Sequence, residues 1–242
     1  MSLWSWSYCI VLAVVVPYLS ARGLHGSRAE ELSRIELYAN LCASLWVLAA
    51  IGFLVIKLDG QTMADVYVTT APLERSGAAF VVWTLAMAGG GLLLFGGSHL
   101  LRHRLRLPGE ETALTRLRPT RAAETIWVLL VISPTAGLCE EFLYRGFFIS
   151  RVGAIAGSAA SPFMAAAAAA AVFGLAHAYQ GWLGAVRAGT IALILAIPVV
   201  AVGTVLPSMA AHALIDAAGI LWLWPLLERR WPVDAGAPAP AP

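Results

Sequence analysis

Glu140, Glu141 and Arg145 place two carboxylates and a guanidinium inside a long apolar stretch, with Ile126 to Ile132 before them and Phe147 to Ile149 after. His177, which closes Phe173-Gly-Leu-Ala-His177, and the pair His212 and Asp216 add further ionisable groups to apolar surroundings. Near the centre of a bilayer each charge costs roughly 2.5–3.5 kcal/mol, so four unpaired ones would cost on the order of 10 kcal/mol. Such groups persist where they pair, face a wet cavity or do chemistry, and mutual proximity is the economical arrangement. A carboxylate beside two imidazoles can activate water: Glu140 takes a proton, while His177 and His212 hold the water and donate to a developing oxyanion. The same three side chains also form the donor set of a catalytic zinc with one open position. Spacing does not choose between these two readings.

Spacing does sort the charges. Glu141 and Arg145 are four residues apart, share a helix face and have the favourable order of acid before base. Glu140 lies about 100° round the helix and is the carboxylate left over. A plainer arrangement is a structural ion pair with the second glutamate bonded to a neighbour. His212 and Asp216 are also four apart, so Asp216 is the nearest group in sequence to orient the imidazole and fix its tautomer. Cys9, Cys42 and Cys139 are far apart and form no C-x-x-C pair, so neither a disulfide framework nor a thiolate metal site is indicated, and apolar packing is favoured.

The elements that must position these residues are membrane helices. Of 242 residues, 60% are hydrophobic and 12% charged, and the mean hydropathy is +0.77. That charged fraction is about half the globular norm. The pattern predicts an all-α polytopic transmembrane bundle of about seven spans: Leu3 to Leu19, Ile35 to Ile56, Gly77 to Leu101, Ala122 to Arg151, Pro162 to Ala178, Trp182 to Val202 and Leu206 to Trp224. Glycines at 89–91 and 96–97 and the alanine run 165–171 allow close helix approach. Pro134 and Gly137 are expected to kink the fourth span just before Glu140. The chain divides into residues 1–121 (three helices and a basic loop), 122–227 (the helical core with the motifs) and a disordered Pro/Ala-rich tail, 228–242.

A net charge of +2 gives no case for nucleic acid. The distribution is more telling. Arg22, Arg28 and Arg34, then Arg102, Arg104, Arg106, Arg116, Arg118 and Arg121, then Arg229 and Arg230 fall on one side of the predicted bundle; Lys57, Arg75 and Arg151 fall on the other. The positive-inside rule puts the N-terminus outside and the C-terminus in the cytoplasm of a multi-pass plasma (inner) membrane protein, and the basic 102–121 segment against anionic lipid. At ~1.5 Å per residue, Glu140 lies ~16 Å from Arg151, His177 ~22 Å from Pro162 and His212 ~9 Å from Leu206. These depths average near the middle of a ~30 Å hydrocarbon core, so the site is expected within the membrane.

Glu140-Glu141-x-x-x-Arg145, Phe173-x-x-x-His177 and His212-x-x-x-Asp216 together resemble the CPBP family (CAAX protease and bacteriocin-processing) of intramembrane endopeptidases, which includes the type II CAAX prenyl proteases. The resemblance spans Pro134 to Asp216, about a third of the chain. It implies peptide-bond hydrolysis within the bilayer, with Glu140 activating water, His177 and His212 assisting, and Glu141, Arg145 and Phe173 supporting. The family more often has Asn at the position of Asp216; an ionised Asp accepts hydrogen bonds but cannot donate. Relatives act on leader peptides, sorting tails and prenylated proteins, so the expected partners are a membrane-associated protein or peptide and the bilayer. Two other classes fit parts of the pattern: a non-catalytic immunity or scaffold member of the same family, and a proton-coupled transporter with a Glu/His relay. The absence of repeat symmetry weighs against the transporter.

The predicted topology has a direct check in intact cells. Cysteine introduced at Asp65 should react with an impermeant thiol reagent, and cysteine at Thr112 should not. The reverse pattern would invert the orientation.

Overall fold

In hydrocarbon every backbone N–H and C=O must be satisfied within its own segment, so apolar runs of this length become helices. The computed structural model describes residues 2–23, 32–74, 77–107, 117–156 and 162–232, and among these the regular structure is helical. Six helices are long and apolar enough to cross a membrane: α1 (Leu3–Arg22), α2 (Arg34–Leu58), α3 (Gly77–Leu105), α4 (Ala122–Ile155), α6 (Ala178–Val202) and α7 (Leu206–Arg230). The expected fifth span is shorter. Helix α5 (Pro162–Ala176) has 15 residues, about five fewer than a full crossing needs. It ends where the backbone tightens into a 3₁₀ turn, Ala178–Gln180, which opens α6. Helix α7 runs through Arg230, so the first residues of the expected tail are helical. Residues 233–242 of that tail and residues 108–116 of the basic loop lie outside the described residues.

Three helices widen into a π turn shortly before a proline. Val11–Val15 precedes Pro17, Val128–Ile132 precedes Pro134, and Gly219–Leu223 precedes Pro225. Proline has no N–H for the carbonyl four residues back and its ring crowds that carbonyl, so the preceding turn opens to accommodate it. In α4 the disturbance expected from Pro134 takes this form. A second wide turn, Glu141–Phe148, has no proline after it and carries Glu141 and Arg145 themselves.

Gly137 has a different part from the one its sequence position suggested. A Cβ there would lie 2.5 Å from the Met209 carbonyl oxygen and 3.0 Å from the Ala213 nitrogen. Glycine therefore lets α4 and α7 touch backbone to backbone on either side of His212, as small residues do between membrane helices. Gly174 of α5 similarly meets the Ala185 carbonyl and Gly189 of α6, and Gly91 of α3 receives Ile215 of α7. The alanine run contributes a buried stripe of Ala165, Ala166, Ala169 and Ala170. The main core gathers Leu12, Ile56, Phe142, Leu143 and Phe147 with that stripe. Leu93, Leu130, Leu175 and Trp222 point outward, as lipid-facing residues do.

The polar contacts define two ends. At one, Ser2 and Ser5 bond Asp59, Arg151 bonds Gln61, and Thr204 and Val205 bond the carbonyls of Thr69 and Tyr67. In this loop the Thr62 amide and hydroxyl hold the Asp65 carboxyl below its ordinary range. Arg151, expected at a loop boundary, is buried beneath it against the Phe147 ring. At the other end Tyr38 bonds the Leu117 carbonyl, Arg34 bonds Thr120, Arg118 pairs with Glu228, and His99 bonds the Trp231 carbonyl. The second end carries Arg34, Arg118 and Arg121 of the arginines grouped by the charge pattern; Arg28 and Arg116 lie outside the described residues.

Gly137→Val should lower the thermal stability of the detergent-solubilised protein by on the order of 1–3 kcal/mol, because the close contact has no slack. Gly153→Ala, where an added Cβ meets nothing within 4 Å, is the control and should leave the transition in place.

Candidate active site

Helices α4, α5 and α7 and the turn opening α6 carry the site. The close approach at Gly137 brings the middle of α4 beside the first half of α7. There the Glu141 carboxylate, fully buried, accepts a hydrogen bond from His212 Nδ1 at 2.7 Å and faces Arg145 Nη1 at 3.0 Å through the same oxygen, Oε1. Because the carboxylate is the acceptor, Nδ1 carries the proton and Nε2 is turned the other way. Nε2 faces Glu140 Oε2 at 3.8 Å and Asp216 Oδ2 at 3.7 Å. Both distances exceed a direct hydrogen bond, and a water oxygen bonded to Nε2 and a carboxylate together fits such a separation.

The two adjacent glutamates are therefore in different states. Glu141 is locked between an arginine and a histidine. The Glu140 side chain keeps 16% of its surface accessible. Asp216, which sequence spacing offered as the group orienting His212, does not make that bond. Glu141 makes it from 71 residues away, while Asp216, at 28% side-chain exposure, approaches the opposite ring nitrogen.

Phe173 joins the remaining members. Arg145 Cζ lies 4.3 Å above its ring centroid, a cation–π contact for the side of the guanidinium that carries no carboxylate. Its ring meets Tyr144 edge-on at 5.1 Å, lies 4.3 Å from the His177 ring and 6.1 Å from the His212 ring. The phenylalanine is thus the spacer that sets Arg145 and both histidines about one centre. His177 Nδ1 donates to the Phe173 carbonyl at 2.9 Å; a carbonyl only accepts, so Nδ1 again holds the proton and a neutral ring presents Nε2 as an acceptor. Ser20 of α1 bonds the Ala176 carbonyl at 2.7 Å and ties down the end of α5. His177 joins the cluster through Phe173, whereas Glu140, Glu141, Arg145, His212 and Asp216 meet by direct side-chain approach.

The donor set expected for zinc, Glu140, His177 and His212, is not gathered into one: among the described residues no three His, Cys, Asp or Glu side chains converge as metal ligands. Each histidine commits Nδ1 elsewhere, and only His212 directs Nε2 at a carboxylate within 4 Å. Cys139, next to Glu140 in sequence, is a buried free thiol.

Sequence reading passed over three residues. Tyr179, on the turn after His177, has its ring 5.7 Å from that of His177. Gln180 Nε2 donates to the Tyr179 hydroxyl at 3.2 Å, and Arg187 Nη2 donates to Gln180 Oε1 at 3.0 Å. The available signal was Arg187, a charge in the sixth apolar segment, where ionisable residues are rarely idle.

Residues 122–218 match the family model described as type II CAAX prenyl endopeptidase, Rce1-like, consistent with the CPBP resemblance of the motifs. Searches of curated proteins and of solved structures each found no match.

Arg145→Ala would leave Glu141 a buried carboxylate without its cation, and should destabilise the protein by about 3–5 kcal/mol. Glu140→Gln removes a charge from a partly accessible group and should stay within about 1 kcal/mol of wild type. Thermal unfolding of both variants in the same detergent checks the difference.

Proposed function

We propose that this chain, whose residues 122–218 match the family model of Rce1-like type II CAAX prenyl endopeptidases, is an intramembrane endopeptidase acting on membrane-associated proteins or peptides. The family match supports a CAAX-type intramembrane protease in general, and the apolar helices fit a multi-pass membrane protein. The observation that carries the finer reading is the sorting of the glutamates. Glu141 is spent on Arg145 and His212; Glu140 is next to it, accessible, and faces His212 Nε2.

Glu140 takes a proton from water as the water oxygen adds to the scissile carbonyl carbon. The carbonyl π pair moves to oxygen, giving a tetrahedral oxyanion. Nε2 of His177 accepts from the water and aligns it, and protonated His212 donates from Nε2 to the oxyanion. The oxyanion then re-forms C=O, the C–N bond breaks, and the amine nitrogen receives the proton held on Glu140. A carboxylic acid and an amine leave, and Glu140 is restored. General-base catalysis of this kind contributes about 10²–10⁴-fold. Glu141 holds the His212 Nδ1 proton and the position of the ring, with Arg145 balancing its charge, and Phe173 spaces the group. No step passes through a metal ion, so treatment with a chelator should leave the rate unchanged. The arginine-rich end of the bundle is the cytoplasmic one.

Comparative proteomics of membrane fractions tests the reading. A deletion strain and one complemented with Glu140→Gln should accumulate the same uncut membrane proteins, and wild-type complementation should clear them. Full processing by Glu140→Gln, with the variant inserted at normal levels, would refute catalysis by Glu140 and favour a scaffold role.

A further inference from the structure

We infer that the Tyr179 hydroxyl is a second hydrogen-bond donor to the oxyanion, set in place by Gln180 and Arg187. The inference rests on the endopeptidase reading above and adds a residue that the three motifs do not contain.

The need for such a donor follows from Asp216. Both Asp216 and Glu140 present carboxylates to the reaction centre, and an ionised carboxylate offers a developing oxyanion nothing but repulsion. Where the family more often has Asn, an amide donor would be available; here that position accepts. Among the motif residues, His212 is the one with a nitrogen that faces both Glu140 and Asp216.

Tyr179 lies on the 3₁₀ turn that follows His177, with its ring beside the imidazole. Its ring lies 5.7 Å from that of His177, the imidazole that aligns the water in the proposed reaction. The hydrogen-bond order behind it has one solution. Arg187 only donates, so the Gln180 atom facing it is the oxygen. The Gln180 amide nitrogen then faces Tyr179, and since it also only donates, the phenol oxygen is the acceptor. The phenol proton is left for another partner, and a hydroxyl that accepts one bond donates a stronger one.

The local backbone is shaped for this relay. Gly181 takes φ +78°, and a Cβ on Gly184 would lie 2.4 Å from the Gln180 Cβ. Only glycine at 184 lets the Gln180 side chain fold back to reach both neighbours. Gln180 and Arg187 are buried, with the Arg187 guanidinium 4.6 Å over the Phe95 ring. Burying such groups in an apolar bundle is costly, and the chain they form ends at the Tyr179 hydroxyl, on the ring next to His177. In the tetrahedral step Tyr179 transfers no proton: it donates a hydrogen bond that shortens as the carbonyl oxygen gains charge. Gln180 and Arg187 are positioning residues.

The test uses full-length protein in lipid nanodiscs and a fluorogenic peptide ending in S-farnesyl-cysteine and three further residues. Uncut membrane protein from a deletion strain serves as a second substrate. Tyr179→Phe should lower kcat by about 10²-fold, the usual cost of one oxyanion donor, with KM within about twofold of wild type. Gln180→Glu keeps an acceptor for Arg187 but turns the phenol proton toward the new carboxylate, so it should also lower kcat with KM and the thermal transition unchanged. Adding Asp216→Asn to Tyr179→Phe returns an amide donor and should recover at least about tenfold in kcat. Tyr179→Phe with kcat within about threefold of wild type, beside an inactive Glu140→Gln, would overturn the inference and leave the endopeptidase reading standing. A loss confined to KM would overturn it in the same way. Wild type inactive on both substrates, or an active Glu140→Gln, would overturn the reading and the inference together.

Discussion

The site depends on one buried carboxylate. Glu141 has no exposed surface, and a single one of its oxygens meets both Arg145 and His212. Desolvating such a group costs several kcal/mol, and the arginine beside it offsets that cost rather than adding net stability. What the pair contributes is position. With Glu141 fixed, His212 has one orientation, Arg145 lies over the Phe173 ring, and Glu140 is the carboxylate left facing the open side of the imidazole. The backbone contact at Gly137 serves the same end, since α4 and α7 must be this close for a bond from Glu141 to reach His212.

A division of labour between adjacent glutamates follows from helix geometry. Successive side chains on a helix diverge by about 100°, so one can be committed to the protein interior while the next faces a cavity. The wide turn Glu141–Phe148 keeps Glu141 and Arg145 on one side while adding room around them. Phe173 then does with an aromatic face what further polar groups would do at greater desolvation cost. Its ring lies against the guanidinium and both imidazole rings, while its carbonyl accepts from His177 Nδ1. The chain from Arg187 through Gln180 ends at Tyr179, whose ring lies beside that of His177, on the turn that precedes Gly181 and Gly184.

Much of this was legible in the sequence because charge in an apolar segment is a strong signal. The helical bundle, the Glu141–Arg145 pair and the membership of His177 and His212 follow from hydropathy and four-residue spacing. The partner of His212 does not. Asp216 is its neighbour at four residues, yet the bond comes from Glu141 on another helix, and no local rule reports a contact across that separation. The end of α5 was misplaced by two residues because His177 and Ala178 do not differ in composition from a helix end, while the backbone there already turns into a 3₁₀ segment. Gly137 looked like a hinge in one helix and is a contact between two. Arg187 carried a readable signal, being charged within an apolar run, but its link to Tyr179 requires the turn at Gly181.

The central claim is that Glu140 activates water and is not itself the nucleophile. The direct measurement is a single-turnover cleavage in heavy-oxygen water, with mass analysis of the new C-terminus and of Glu140. The account predicts one heavy oxygen in the product carboxylate and none in the Glu140 side chain. An unlabelled product carboxylate, with the heavy oxygen instead on Glu140, would show an acyl-enzyme intermediate and contradict it.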